Sequence, residues 1–275
     1  MRRIRNNPQR ATVHPVEPSA HAMLTTLKKE MTAEDLRKNM LSTYFTLRTG
    51  IVVLAAALPV GLLVYSLWYH HGLEEHSMSA FYGAYGGDMR NWFVGILWAV
   101  GAFLILYKGF SGVENWLLNL AGGFAILTAI TPCYCWGEAP GKSTLHTIFA
   151  VLFFLCMAGV CWFCAEDTVT LLPEKSQQDK FRRTYRTIAF FLLLSPLGAA
   201  AAAYLAQVPD SRVFFIEWFG VWVFAAYWLA KSAEFHITSA EKLALQGHVK
   251  NVSGVGLVPD ATAGQQVPLI PYGRR

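Results

Sequence analysis

Charge is scarce in this sequence. Of its 275 residues only 15% are Asp, Glu, Lys or Arg, against roughly 25% in ordinary soluble domains, while 54% are hydrophobic. The scarcity is concentrated in long runs. No formal charge falls within Thr49–Tyr69, Trp92–Tyr107, Trp116–Gly137, Ser143–Ala165 or Thr187–Val208, and Val213–Ala230 is interrupted only by Glu217. A helix needs about 20 apolar residues to cross a hydrocarbon core roughly 30 Å thick. Trp92–Tyr107 is short for that, but Arg90 and Lys108 can snorkel at its ends. Six helices of a soluble core would need polar faces, which these runs lack. The expected fold is therefore an all-α integral membrane bundle of six transmembrane helices.

Other absences narrow the function. No compact spacing of zinc ligands occurs, no G-x-S-x-G elbow marks a nucleophilic serine, and no repeat of 20–50 residues is evident. No polar residue stands clearly at mid-membrane, where transporters place their substrates. The five cysteines are odd in number. Cys133 and Cys135 form a C-x-C at one end of the third run, where an oxidising compartment can join them. Cys156, Cys161 and Cys164 read as small buried hydrophobes. No metal and no cofactor is expected.

The charges that are present set an orientation. Lys and Arg number nine before Thr49, one at Lys108, five from Lys175 to Arg186 and five from Lys231 onward. Those twenty lie on one side of a six-span topology, and Arg90, Lys142 and Arg212 lie on the other. The positive-inside rule then puts both termini in the cytoplasm of a cell-membrane protein. Residues 1–48 form an N-terminal tail, 49–231 the six-helix domain and 232–275 a C-terminal tail. The net charge of +5 is a topology signal, and nucleic acid is not an expected partner. The first run begins too late for a cleaved signal peptide and should stay as an anchor.

Within the N-terminal tail, residues 2–21 read as disordered, and Met23–Phe45 turns helical with Leu24, Leu27, Met31, Leu36 and Met40 near one face. That helix either lies on an anionic inner leaflet or simply leads into the first span. Thr32-x-x-Asp35 could cap a break within it. Pro59 and Pro196 fall in mid-span, where each deletes a backbone bond. Beyond Ala230, "KSAEFHITSAEKLALQ" suggests a short helix, and the Gly-, Val- and Pro-rich remainder reads as disordered.

Two ionisable residues fall inside apolar runs, which is costly and so informative. His146 and Glu217 both stand roughly 5–8 Å below the outer boundary. The first outer loop, "HHGLEEHSMSAFYGAYGGDMRNW" (His70–Trp92), meets the same face. His146, Glu217, Arg90, Asp88 and Ser79 are thus the candidates for one polar pocket. Acid–base work by His146 and Glu217 with Ser79 as nucleophile is one reading. A structural network, with Arg90 paired to Asp88 or Glu217 and His146 bonded to a loop carbonyl, is the other. His70, His71 and His76 read as solvated.

"SMSAFYGAYGGDMRNWFVG", "NWLLNLAGGFAILTAI", "LHTIFAVLFFLCMAG" and "FFIEWFGVWVFAAYWLAK", taken in order, resemble the DRAM-like (damage-regulated autophagy modulator), Frag and Sfk group of six-span proteins and related bacterial membrane proteins. The likeness covers Ser77 to Lys231, with Asn119, Ala121, Gly122, His146, Glu217 and Trp218 at matching points. It implies six spans and a part in organising or remodelling membrane lipids. A more distant likeness is to the seven-span CREST hydrolases, whose closing H-x-x-x-H and extra span are missing here. Membrane lipids are the expected partners, with a second copy or another membrane protein as a further one. The expected activity is binding, sensing or organising lipids at the outer leaflet. The alternative is a membrane-embedded hydrolase or lipid-remodelling enzyme using the same pocket.

Overall fold

A computed structural model describes residues 32–73, 75–133, 140–205, 212–252 and 255–260. By internal contacts the chain forms two units, Met1–Lys38 and Asn39–Arg275. In the first unit, Thr32 and Asp35 make a reciprocal cap. The Asp35 amide donates to Thr32 Oγ1 at 3.1 Å, and the Thr32 amide donates to Asp35 Oδ2 at 3.2 Å. This satisfies donors that a first turn leaves open. The cap stands at the start of α1, which runs unbroken from Ala33 to His70. Residues 23–31 of the expected amphipathic segment lie outside the described residues.

Among the described residues, five further long helices follow: α2 (Arg90–Leu106), α3 (Gly112–Ile130), α4 (Pro140–Gly159), α5 (Lys175–Leu205) and α6 (Arg212–Thr238). Helix α4 continues through a π turn at Val160–Cys164 and a 3-10 segment at Ala165–Leu171. Pro59 sits inside α1 and Pro196 inside α5. Among the described residues, four helical stretches are long and apolar enough to cross a membrane: Ala33–His70, Gly112–Ile130, Thr144–Leu171 and Arg212–Thr238. Helix α2 is apolar but shorter, at 17 residues. A mostly helical, multi-pass membrane protein accounts for these lengths and compositions.

Small residues let the helices approach. A Cβ on Gly101 of α2 would lie 2.7 Å from the Gly122 carbonyl oxygen of α3, and one on Gly122 would lie 2.5 Å from that of Gly101. Gly220 of α6 leaves no room for a Cβ beside Ser195 Oγ of α5, whose hydroxyl donates to the Ile216 carbonyl at 3.1 Å. Such close crossings are what holds helices together where lipid removes the hydrophobic drive. Ile51, Ala55, Leu58 and Leu62 form the buried stripe of α1, spaced three and four residues apart.

The C-terminal region departs from the sequence expectation. The expected short helix over 231–246 is divided: Lys231–Thr238 continues α6 and only Ala240–Leu245 forms a separate helix, α7; the segment after it is not shapeless. Val249–Val252 (β1) and Gly256–Pro259 (β2) pair antiparallel as a hairpin. Strands of four residues give little periodic signal, and a lone hairpin is marginal in water. It is held from outside: Thr170 Oγ1 donates to the Leu257 carbonyl at 2.7 Å, and Asn251 Nδ2 donates to the Phe110 carbonyl at 2.9 Å.

Candidate functional site

The bundle has a loop end, carrying residues 71–89, and a tail end, carrying the 3-10 segment and the hairpin. At the loop end the chain after α1 folds into two 3-10 turns, Ser79–Tyr82 and Ala84–Gly87. Ser77 starts the first turn, its hydroxyl accepting from the Ala80 amide at 3.1 Å. The loop is pinned to α6 in two places. The Phe214 amide donates to the His76 carbonyl at 2.8 Å, and the Met78 amide donates to Glu217 Oε2 at 2.6 Å. The Ser79 amide also bonds the Glu217 carboxylate. Consecutive amides aimed at one carboxylate make a nest for negative charge.

Beneath this loop lies a cavity of about 100 Å³. Its wall is mostly apolar, with Leu58, Phe93, Phe153 and Phe154 among the lining residues. Four polar side chains interrupt it: Ser79, Thr128, His146 and Glu217. His146 is buried at 4% exposure, and Nδ1 lies 2.8 Å from the Thr131 carbonyl oxygen. A carbonyl only accepts, so Nδ1 carries the proton, and in the neutral imidazole Nε2 is the acceptor. Phe93 stacks on the imidazole at 6.4 Å between centroids. Ser79 Oγ lies 3.2 Å from Ser77 Oγ, and Thr128 Oγ1 donates to the Phe124 carbonyl at 2.7 Å.

Of the five candidates, His146, Glu217 and Ser79 share this cavity, and Arg90 and Asp88 do not. Arg90 donates from Nε to the Tyr82 carbonyl at 2.8 Å and lies over the Tyr82 ring at 5.0 Å. Asp88 accepts from the Tyr65 hydroxyl at 2.7 Å. Both are exposed. The expected ion pairs of Arg90 with Glu217 or Asp88 are corrected accordingly: backbone amides already occupy the carboxylate, at lower cost than burying a guanidinium. Among the described residues no group of three His, Cys, Asp or Glu converges as a metal site. Cys133 is disulfide-bonded, Cys135 lies outside the described residues, and Cys156, Cys161 and Cys164 are free.

The larger polar cluster went unseen in the sequence. At the tail end Lys231 and Glu234 of α6 are 1% and 0% exposed. Lys231 Nζ donates to the Ala165 carbonyl at 2.9 Å, to Thr168 Oγ1 at 2.6 Å and to Glu234 Oε2 at 3.1 Å. Thr168 and Tyr185 in turn donate to the two Glu234 oxygens. Arg48, far away in sequence, pairs with Glu241 and donates to Ser232 Oγ at 3.1 Å. Glu114, also buried, accepts from the Phe110 amide at 2.7 Å. The i,i+3 spacing of Lys231 and Glu234 was the available signal. It reads equally as a solvated pair at a span end, and burial decides otherwise.

The chain matches no family model, no curated protein and no solved structure.

Proposed function

We propose that this is a six-span membrane protein, both termini cytoplasmic, that binds or organises lipid head groups at the outer leaflet through the loop-end cavity. Helices α2 and α5 supply the two spans beyond the four that qualify by length and composition, with α2 shortened and α5 using its half from Thr187. The observation that carries the reading is the cavity wall: apolar throughout except for Glu217, His146, Ser79 and Thr128. Apolar walls with a few converging polar groups are the usual form of small-molecule sites. The carboxylate and the unprotonated Nε2 accept hydrogen bonds. The chemistry they favour is a donor, a hydroxyl or ammonium on a head group, and the volume holds one such group or several waters. The order of motifs shared with the DRAM-like group supports the same reading.

Binding is favoured over hydrolysis because no nucleophile and base are aligned in the cavity. Ser79 Oγ faces Ser77 Oγ, and Glu217 is held by amides, so neither is arranged as a nucleophile and its relay. Two measurements test the proposal. Alkaline phosphatase fused within Lys175–Arg186 should be inactive, and active when fused after Asp210; the reverse would move the cavity to the other leaflet. Protein purified in mild detergent should retain a lipid bearing a hydroxyl or amine, and Glu217→Gln together with His146→Ala should lose it. Retention unchanged by that double substitution would remove the cavity from the function.

A further inference from the structure

A second open surface lies on α5, at the opposite end of the bundle from the cavity. An open groove of about 590 Å³ there is lined, among the described residues, by one face of α5. Ser176, Lys180, Arg183 and Thr187 stand along it at steps of four, three and four residues. Continuing those steps gives Phe190, Leu194 and Leu197, which are 56%, 46% and 65% exposed. Steps of three and four keep residues on one side of a helix. A single exposed stripe therefore changes along its length from hydroxyl and cation to bare hydrocarbon. From Arg183 to Leu197 it rises about 21 Å, at 1.5 Å per residue.

The cations on this stripe are uncommitted. Their neighbours Arg182 and Arg186 pair with Glu166 at 3.4 and 3.1 Å. Lys180 and Arg183 make no ion pair among the described residues, and both are exposed. Asp179 also lines the groove and lowers its net charge without closing it. Solvated lysines on a soluble helix would mean nothing. Here the exposed apolar residues begin at Phe190, about two turns or roughly 10 Å beyond Arg183, so the cations sit where a bilayer places its head groups. Basic residues at that border attract anionic lipid.

We infer that this face of α5 binds one anionic glycerophospholipid, its phosphate between Lys180 and Arg183 and an acyl chain along Phe190, Leu194 and Leu197. The groove depends on the membrane reading but not on the cavity, which lies at the other end of the bundle and accepts a different chemistry. The test uses the full chain in uncharged detergent, titrated separately with phosphatidylglycerol, phosphatidylcholine and inorganic phosphate, and read by native mass spectrometry. Phosphatidylglycerol should bind in preference to phosphatidylcholine. Lys180→Gln and Arg183→Gln should each weaken it about fivefold, and together about 25-fold. Lys180→Arg with Arg183→Lys should restore it. Phe190→Ser should weaken the lipid while leaving inorganic phosphate unaffected. Equal binding of the two lipids, or indifference to the double substitution, would overturn the inference. So would inorganic phosphate binding as tightly as the lipid, since the apolar stripe would then be idle. A detergent-stable dimer broken by Phe190→Ser would assign the face to a second copy instead.

Discussion

At the loop end, few ionisable groups line open space; at the tail end, many are packed against one another. Glu217 and His146 each keep acceptor capacity toward a cavity, although Glu217 also clamps the loop. Lys231 has all three of its protons taken, and Glu234 accepts from Lys231, Thr168 and Tyr185. A buried network that satisfies every member rigidifies a structure and has nothing left for a ligand. Unsatisfied capacity, and not the number of charges, is what separates a site from a fastening. The larger cluster is the scaffold here and the smaller one the site.

That contrast breaks first at Glu234. Removing one member of a buried pair leaves the other uncompensated, at a cost of about 3–5 kcal/mol. Glu234→Ala should lower unfolding stability in detergent by that order, and Lys231→Met in the same chain should recover much of it. A loss under about 1 kcal/mol would fall in the range of exposed pairs. The tail end would then be wet, and the comparison would fail.

Glu217 comes next, because its loss costs both a clamp and a site. Bonds to a charged acceptor contribute about 1.5–3 kcal/mol each before the amides find water. Glu217→Ala should therefore destabilise by roughly that amount and free the loop at Ser77–Tyr82, visible as faster amide exchange. Glu217→Gln keeps an acceptor and should destabilise less. Combined with His146→Ala, its effect on lipid retention should depart from additivity by more than about 0.5 kcal/mol. Additive effects would mean the two groups share a wall but no ligand.

How far the two ends were legible in the sequence differs for a physical reason. His146 and Glu217 stood out because charge is rare within apolar runs. Lys231 and Glu234 stand just past the end of such a run, where sequence reads a solvated border. Only the packing of the 3-10 segment over them, with Thr168 and Tyr185, makes them interior. The helices themselves were legible throughout, since long uncharged runs have few alternatives. The hairpin was not: its stability comes from Thr170 and Phe110, about 87 and 141 residues away along the chain, and local sequence carries no trace of that.

Gly256 tests the hairpin's dependence on the tail end. Its φ is +95°, and a Cβ there would lie 2.6 Å from the Asp167 carbonyl oxygen. Gly256→Ala should cost roughly 1–2 kcal/mol by backbone strain alone. Because the hairpin is a small attached unit, the loss should be local. Protease should release the chain beyond His248 sooner, with unfolding of the bundle unchanged. A fall in bundle stability of the same size would make the hairpin part of the scaffold.

The smallest expected effect belongs to Arg90, and it decides between two pictures of the loop end. If Arg90 completed a network with Glu217, removing it would strand a carboxylate and the two substitutions would be strongly coupled. In the structure Arg90 lies over Tyr82 and bonds its carbonyl, both at the surface. An exposed cation–π contact contributes about 0.5–1 kcal/mol. Arg90→Gln should therefore lower stability by no more than that and leave lipid retention unchanged. The doubly substituted chain with Glu217→Gln should show the sum of the two effects, as sites without shared partners do. A coupling above about 1 kcal/mol would return Arg90 to the cavity and turn the open end of the bundle into a second closed network.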